Sequence, residues 1–485
     1  MASVDSRLGA SRQHLPVSVI ATSKSARTSL LVAQRRRISD ASKTVWFMPT
    51  LSVAGALVLG SILSQVDARP GSWLWTVSFH GNSNDARQVL TVIIGALIPV
   101  TSLIFALTVV TLQIASTQFS PRLLRTFLRD SRTQLVLSAL VGTVAYSLAG
   151  LFTVTTDETP IDQVPRFAIT VALAFAVGCI GLLVYYFGHI TNSVRIDTIM
   201  RQVESDTRRI IARDHLPISE TDLDPDWLEP IPIPANAVTI TAPVDGYVQG
   251  VDVRLPSLTV RKRVTVRVLP LIGYYTMVGR PLALVWTDDG SELLSTTREA
   301  IRNLIEIDPE RRVERDVGLG LRQLVDITNR AMSTGQNDPY TGTQAVHHLT
   351  TVLVDAIGRS FATQMFRDAA GVIRVMTPIM DFPTHLKVVC SQIRQGGLER
   401  HPRVLLELLR MLGILAELAP TTIRADAVRR ELDIVLTDAR RIIPSPTDLE
   451  EALLLGEEVV GRLDEITAEL RADSSPIPVR QGAGA

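Results

Sequence analysis

Cysteine is almost absent from this chain of 485 residues, which contains only Cys179 and Cys390. Two distant cysteines exclude a disulfide-stabilised scaffold, and neither lies in a pattern that would bind zinc. Acidic and basic residues are equally numerous, with 49 of each, so the formal net charge is zero. Such a chain lacks the surplus of positive charge that favours nucleic-acid binding. We therefore expect no nucleic-acid partner.

Charged residues are also missing from four long apolar segments near the start of the chain. None of these segments contains Asp, Glu, Lys or Arg, and each has the ~20 residues that a helix needs to cross a bilayer core. The segments cover residues 45–64, 89–115, 133–155 and 167–188. The sequence therefore predicts a four-helix transmembrane domain over residues 45–190, with the lipid bilayer as its first partner.

Basic residues concentrate on one side of the predicted spans. They precede the first span, occupy the loop after the second and follow the fourth, whereas residues 156–165 contain three acids and no base. The positive-inside rule places the basic segments in the cytoplasm. Lysine is scarce and arginine abundant, a skew typical of GC-rich bacterial genomes. We expect a multi-pass protein of a bacterial cytoplasmic (inner) membrane, with both termini and the C-terminal half in the cytoplasm.

The loop between the second and third spans predicts a short amphipathic helix. Ser120 is a good N-cap and Pro121 suits the first helical position. Four arginines then share one face of about 80° at 100° per residue: Arg122, Arg125, Arg129 and Arg132. This segment is a candidate lipid-headgroup or gating helix. The plainer alternative is an anchor that only fixes the topology.

The second span is the longest and carries the most hydroxyl and amide groups. Thr108, Thr111 and Gln113 are its candidate pore-lining residues, because a threonine-rich helix can face an aqueous path. Ser and Thr also join neighbouring helices, and small residues such as Ala174 and Gly178 in the fourth span favour close packing. No ionisable residue lies within a span, so the spans contain no candidate for a proton relay.

After the spans, the spacing of apolar residues changes from a helical to a strand-like pattern. Residues 191–237 predict a juxtamembrane helix and a Pro-rich extended linker, and residues 238–290 predict a small all-β module with glycines at its turns. Segments 242–248 and 278–285 resemble the second half of a biotinyl/lipoyl-type barrel-sandwich domain. Carrier domains of that fold have a modified lysine just before the first segment, and none lies there in this chain. The resemblance implies a structural or partner-binding module without a cofactor.

The rest of the chain predicts an α-helical domain over residues 291–472, with disordered tails over 1–44 and 473–485. Its predicted helices cover 292–307, 310–334, 384–396, 402–418, 424–442 and 447–471, and a strand covers 372–376. A polar face on the second of these helices and the turn after it form a candidate cytoplasmic polar site: Arg312, Asp316, Gln323, Asp326, Arg330, Asn337 and Asp338. No nucleotide, zinc or catalytic-triad motif accompanies these residues. We expect no enzyme, no catalytic or metal-binding residue and no cofactor.

Four segments together resemble a bacterial family of predicted four-span membrane proteins described only as a domain of unknown function. They are residues 112–125, 242–248, 323–327 and 337–341, and the likeness extends over residues 45–470. The resemblance implies an α-helical membrane protein with four transmembrane helices, a small all-β barrel-sandwich-like cytoplasmic module and an α-helical C-terminal cytoplasmic domain. It implies no particular activity.

The leading functional hypothesis is an oligomeric channel or transport-related protein with a cytoplasmic regulatory part. It rests on the long second span, on the arginine helix attached to that span, and on the β module that follows the last span. The alternative is a membrane-anchored scaffold or sensor whose C-terminal half binds a partner. A further alternative is an enzyme acting on lipid or envelope precursors at the inner surface. We expect a homo-oligomer, with a cytoplasmic protein or small molecule as a further partner.

Overall fold

The computed structural model describes residues 17–19, 47–65, 75–76, 78–118, 131–154, 164–193, 195–218, 232–312, 315–396 and 401–473. The chain divides into two compact units, which we call the N-terminal unit (Leu30–Ile199) and the C-terminal unit (Met1–Ser29 with Met200–Ala485). Within the tail predicted to be disordered, Val17–Val19 form strand β1. The rest of that tail and residues 474–485 lie outside the described residues.

The N-terminal unit consists, in its described part, of four apolar helices: α1 (Phe47–Leu63), α2 (Ser83–Gln118), α3 (Ser131–Thr153) and α4 (Arg166–Ser193). Helices α2, α3 and α4 are long and apolar enough to cross a membrane, whereas α1 has 17 residues. At 1.5 Å per residue α1 is about 26 Å long, somewhat shorter than a hydrocarbon core of about 30 Å. Three predicted spans are therefore confirmed as candidate membrane helices, and the first span stays a prediction.

Helix α3 is the centre of this unit and packs against α1, α2 and α4. Its close approach to α1 depends on glycine: a Cβ at Gly142 would lie 2.5 Å from Ser52 Oγ, and one at Gly60 would lie 2.9 Å from Ala149 Cβ. The Ser52 hydroxyl donates to the Ser138 carbonyl at 2.7 Å. Small residues thus bring the two backbones together, as is typical of membrane helices.

The C-terminal unit combines strands and helices. Helix α5 (Ile196–Asp214) leads into it and is followed by β2 (Val238–Thr241), β3 (Gly246–Val251), α6 (Leu255–Lys262), β4 (Val264–Val268), β5 (Tyr275–Thr276), β6 (Pro281–Thr287), α7 (Ser295–Asn303) and β7 (Ile305–Asp308). The elements that follow are α8 (Val317–Ala331), α9 (Pro339–Ile357), β8 (Thr363–Arg367), β9 (Ile373–Thr377), α10 (Phe382–Gln395), α11 (Pro402–Glu417), α12 (Thr422–Ile442) and α13 (Pro446–Asp473).

Strands from distant parts of the sequence share one sheet, in the order β1-β8-β9-β4-β6-β2, and β5-β3-β7 form a second. Strand β4 pairs antiparallel with β6 and parallel with β9, so Val266 lies between Val285 and Val375. These three valines are buried in a common core, because side chains directly opposite one another on neighbouring strands point to the same face of the sheet. The predicted β module therefore shares its main sheet with strands from the predicted helical domain. The barrel-sandwich resemblance stays a prediction.

Local signals predicted the C-terminal helices well, since α10 to α13 lie within two residues of their predicted bounds. Three other assignments were wrong. Residues 260–262 are the end of α6 rather than strand, since Arg263 ends that helix in a left-handed conformation. Residues 305–307 belong to strand β7, which pairs with β3 rather than continuing a helix. Residues 310–316 precede α8, because Asp316 caps its start.

Candidate functional site

The structure places the three candidate pore-lining residues in different environments. The Thr108 hydroxyl bonds to the Ile104 carbonyl at 2.8 Å and to the Tyr186 hydroxyl of α4 at 2.8 Å. Thr111 is buried and donates to the Leu107 carbonyl. Gln113 is exposed. Thr108 therefore joins α2 to α4, Thr111 is buried, and of these three residues only Gln113 is exposed.

Helices α2 and α4 leave distinct faces exposed. On α2, Ser102 and Gln113 lie about 20° apart at 100° per residue, and both are exposed. On α4, Gly178, Gly181 and Gly188 have no atom within 4 Å of the position of a Cβ. The packing predicted for Gly178 inside the four-helix bundle is therefore not found within one chain. These faces are open to a lipid or to another helix.

The predicted arginine helix lies almost wholly outside the described residues, which exclude Arg122, Arg125 and Arg129. Arg132 is described, in the first turn of α3, and its guanidinium lies 3.5 Å from His189 Nδ1 of α4. His189 stacks on Tyr185 with ring centroids 6.2 Å apart. One end of the helix bundle thus carries a basic and aromatic group that suits a membrane interface.

The five residues of the candidate cytoplasmic polar site that were predicted to share one helical face do not all lie on a helix: Arg312, Asp316, Gln323, Asp326 and Arg330. Arg312 precedes α8 and pairs with Asp308, while Asp316 is the N-cap and accepts the Leu319 N–H at 3.0 Å. The sequence pattern predicted a helix from residue 310. Asp316 is an N-cap with extended backbone, so the helix begins after it.

The other members of that site lie on α8 and at the start of α9. Gln323 is buried, Asp326 pairs with Arg322 at 3.7 Å, and Arg330 is exposed. Asn337 is exposed with a φ of 47°. Asp338 caps α9, as its sequence context predicted, and accepts the Thr341 N–H at 3.1 Å.

Asp316 is nevertheless the centre of a buried polar cluster. Arg311 Nε donates to Asp316 Oδ2 at 2.8 Å, and its second nitrogen lies 2.7 Å from the same oxygen. Burial raises the pKa of Asp316, while Arg311 and two backbone N–H groups act in the opposite direction. A Cβ at Gly273, where φ is +82°, would lie 2.4 Å from Asp316 Oδ2. The Gly273 turn can therefore pack on this ion pair only because it lacks a side chain.

The loop between β7 and α8 is also tied to the sheet by one amide side chain. Gln249 of β3 is buried; its Nε2 donates to the Glu310 carbonyl at 2.9 Å, and its Oε1 accepts the Arg312 N–H at 3.0 Å. Each bond satisfies a backbone group that has no partner in a helix or sheet ladder. The loop that carries Arg311 and Asp316 is thereby held in one position.

Two buried histidines complete the surroundings of Asp316. His215 stacks on Phe361 with centroids 4.1 Å apart, and His385 meets the edge of the same ring at 5.4 Å. A Cβ at Gly318 would lie 3.3 Å from His385 Cε1 and 3.2 Å from Asp316 Oδ1. Burial lowers the pKa of His385 to about 3, with His215 and Arg311 acting in the same direction. Burial also lowers the pKa of His215.

This geometry favours a structural role for the cluster. His385 and Asp316 are 5% and 8% exposed, so a substrate has no direct access to them. A histidine with a pKa near 3 is neutral at physiological pH and is a weak base. Within the described residues, no group of histidine, cysteine and acidic side chains is arranged to hold a metal ion.

Two surface grooves remain in the C-terminal unit. One, of about 560 Å³, lies between α6 and α7 and contains Arg254 and Arg261. Arg254 is already neutralised by two hydrogen bonds to Asp252 at 2.9 Å. The other, of about 290 Å³, lies between α11 and α13 and is lined by paired charges, including Arg410 and Glu417. Both grooves are open to solvent, and ion pairs already engage part of their charged lining.

Sequence reasoning missed Arg311, His215, His385 and Gln249. Arg311 is one of several arginines near Asp316, and only the folded loop selects it. The histidines come from the end of α5 and the first turn of α10, so no local spacing links them. The Asp381-Phe-Pro-Thr sequence does mark the start of α10, because Asp381 accepts the Thr384 N–H. It gives no sign that the next residue, His385, is buried.

Comparison with known proteins agrees with the apolar helices. A family model described as predicted membrane protein (DUF2254) matches residues 42–413. The uncharacterized protein Rv1290c of Mycobacterium tuberculosis is 36% identical over 433 residues, which cover 88% of this chain and 82% of that protein. The uncharacterized protein Mb1321c of Mycobacterium bovis has the same identity and coverage. No solved structure matches the chain.

Proposed function

The chain belongs to the DUF2254 family of predicted membrane proteins, and we propose that it is an oligomeric channel or transport-related protein whose path forms between copies. In this proposal the apolar helix α1 is a fourth span, and both termini and the C-terminal unit lie in the cytoplasm. The basic segments beside the spans support that orientation. In the same proposal, the arginine helix that the sequence predicts over residues 122–132, which lies mostly outside the described residues, is assigned to the inner headgroup level and to gating of the path.

The outward face of α2 carries the proposal. Within the chain, the hydroxyl groups of Thr101, Thr108 and Thr111 donate to backbone carbonyls four residues earlier. Thr111 is buried, and Thr108 also bonds to the Tyr186 hydroxyl of α4 inside the chain. Ser102 also bonds to its own helix, at the Ile98 carbonyl, but its side chain is exposed on the same face as Gln113. Lipid tails cannot form hydrogen bonds with such polar groups, whereas a neighbouring helix or water can.

The open glycines of α4 explain how copies would approach one another. Gly178, Gly181 and Gly188 recur at intervals of three and seven residues, so they form one stripe along the helix. A stripe without side chains allows a helix of another copy to pack closely, which drives association in membranes where the hydrophobic effect is absent. The stripe supports assembly and the polar face of α2 supports transport.

The test is flux through purified protein reconstituted in liposomes, read by single-channel recording and by ion-sensitive dyes. We expect Ser102→Val to reduce flux several-fold, because it replaces a hydroxyl on the exposed face with an apolar side chain. Thr108→Val is the matched control, since its hydroxyl faces Tyr186 inside the chain.

Two results would contradict the proposal. Absence of flux across ions, membrane tension and pH would leave the membrane-anchored scaffold or sensor as the better account. An equal loss of flux in Ser102→Val and Thr108→Val would remove the exposed face of α2 as the path.

A further inference from the structure

Two adjacent turns of the C-terminal unit expose a group of apolar side chains. Val244 lies in the turn before β3, while Tyr275 lies in β5 and Met277 and Val278 follow it. The exposed fractions are 50% for Val244, 56% for Tyr275, 52% for Met277 and 61% for Val278. Tyr274 is exposed beside them. We call these five residues the Tyr275 patch. Monomeric proteins seldom expose a contiguous apolar group of this kind unless it binds something.

The backbone holds the two turns together. The Val278 N–H donates to Asp245 Oδ1 at 2.7 Å, and the Gly279 N–H donates to the Ala242 carbonyl at 3.0 Å. Gly279 has a φ of +80°, a conformation that other residues adopt only with strain. The Tyr247 ring meets the edge of Tyr275 at 5.1 Å. The backbone beneath the patch is therefore held in one arrangement.

The composition of the patch suits a protein interface. Tyrosine and methionine are enriched at the centre of such interfaces, where charged residues are depleted, and the rim is polar. Here the charges flanking the patch are Asp245 and Arg280, both exposed. Arg280 forms no ion pair with any residue that the structure describes, and Asp245 uses one oxygen for the Val278 N–H.

One acid and one base beside a single apolar centre make a self-complementary surface. In a two-fold contact, the same patch serves both partners, so Arg280 of each copy comes opposite Asp245 of the other. An anionic membrane surface would instead select a surplus of bases, which this patch lacks. We propose that the Tyr275 patch is the contact surface for a second copy of this chain. The proposal rests on the assembly of copies that the proposed function requires.

Cross-linking in native membranes tests the contact. Both native cysteines are buried, so the full chain with Cys179 and Cys390 replaced by serine provides a background without thiols. In that background we expect Val278→Cys to give a disulfide or short-linker dimer. Val372→Cys, at an exposed valine outside the patch, is the matched control and should give little dimer.

The flanking charges give a second, milder test. Asp245→Asn keeps an oxygen that can accept the Val278 N–H and removes only the charge. Arg280→Gln removes the opposite charge. We expect each change to lower the dimer fraction of Val278→Cys several-fold. The two changes together should lower it no further, because each alone already breaks the same pair.

The proposal is overturned if Val278→Cys yields no more dimer than Val372→Cys at equal expression. It is also overturned if a polarity-sensitive dye on Val278→Cys reports an apolar environment at one copy per vesicle, because the bilayer would then cover the patch. Transport is read separately. Dimer without flux would reject only the proposed channel, and flux without this dimer would reject only this contact.

Discussion

Arg424 shows how much one buried side chain can organise. Its guanidinium, on the first turn of α12, donates to the carbonyls of Ala356 and Ile357 at the end of α9 and to the carbonyl of Arg359 just beyond that end. It also lies 5.0 Å from the centre of the Phe382 ring. A positive charge at a helix C-terminus is favourable because the carbonyl dipoles point toward it. One residue thereby joins α9, α10 and α12.

His385 predicts how stability depends on pH. Its pKa is about 3 in the folded chain and near 6.5 when unfolded, so the unfolded chain binds one more proton between these values. Stability is therefore lost as the pH falls below about 6.5, by ~1.4 kcal/mol per pH unit. His215, whose pKa is also lowered, adds to the loss. The measurement is unfolding in urea of a Cys179→Ser variant. Unfolding is detected by thiol labelling of Cys390, which is buried in α10 of the folded chain.

Two variants check that assignment. His385→Gln should flatten the pH dependence, because glutamine does not titrate. His347→Gln, at a well-exposed histidine of α9, is the control for a histidine-to-glutamine change outside the buried cluster. An unaltered slope in His385→Gln would show that other groups cause the acid lability.

At the scale of elements, Asp316 determines where α8 starts. Asp316→Ala removes both the cap and the partner of Arg311, and we expect a loss of about 2–3 kcal/mol in the free energy of unfolding. Asp316→Asn keeps a capping side chain and should lose less. Asp326→Ala breaks a partly exposed pair with Arg322, and the loss of such a pair should cost ~1 kcal/mol or less. Thiol labelling of Cys390 in urea gives all three values, and equal losses at Asp316 and Asp326 would contradict this ranking.

Elements with local signals were predictable, and elements defined by distant partners were not. Asp381, Pro402 and Pro446 mark the starts of α10, α11 and α13 through capping and first-turn chemistry. Strand β7 carries no such mark, because its extended state depends on pairing with β3. The same reason applies to the candidate site: the residues around Asp316 come from separate elements, and only tertiary packing brings them together.

At the scale of the whole molecule, the orientation of the chain is the property to test first. Ser72→Cys lies in the segment between the first two predicted spans, and Ser219→Cys follows the last. With both native cysteines replaced, we expect an impermeant reagent to label Ser72→Cys in intact cells. It should label Ser219→Cys only after the cells are opened. Three predicted spans lie between the two positions, so labelling of both sites from the same side would rule out the proposed topology.

The parallel pairing of β4 with β9 has a consequence for how this chain is made. At about 5–20 residues per second, the roughly 100 residues from Val268 to Ile373 take ~5–20 s to leave the ribosome. Throughout that delay the edge of β4 is without its final partner and can recruit strands from other nascent chains. Translation speed and chaperone supply should therefore influence the yield of this protein.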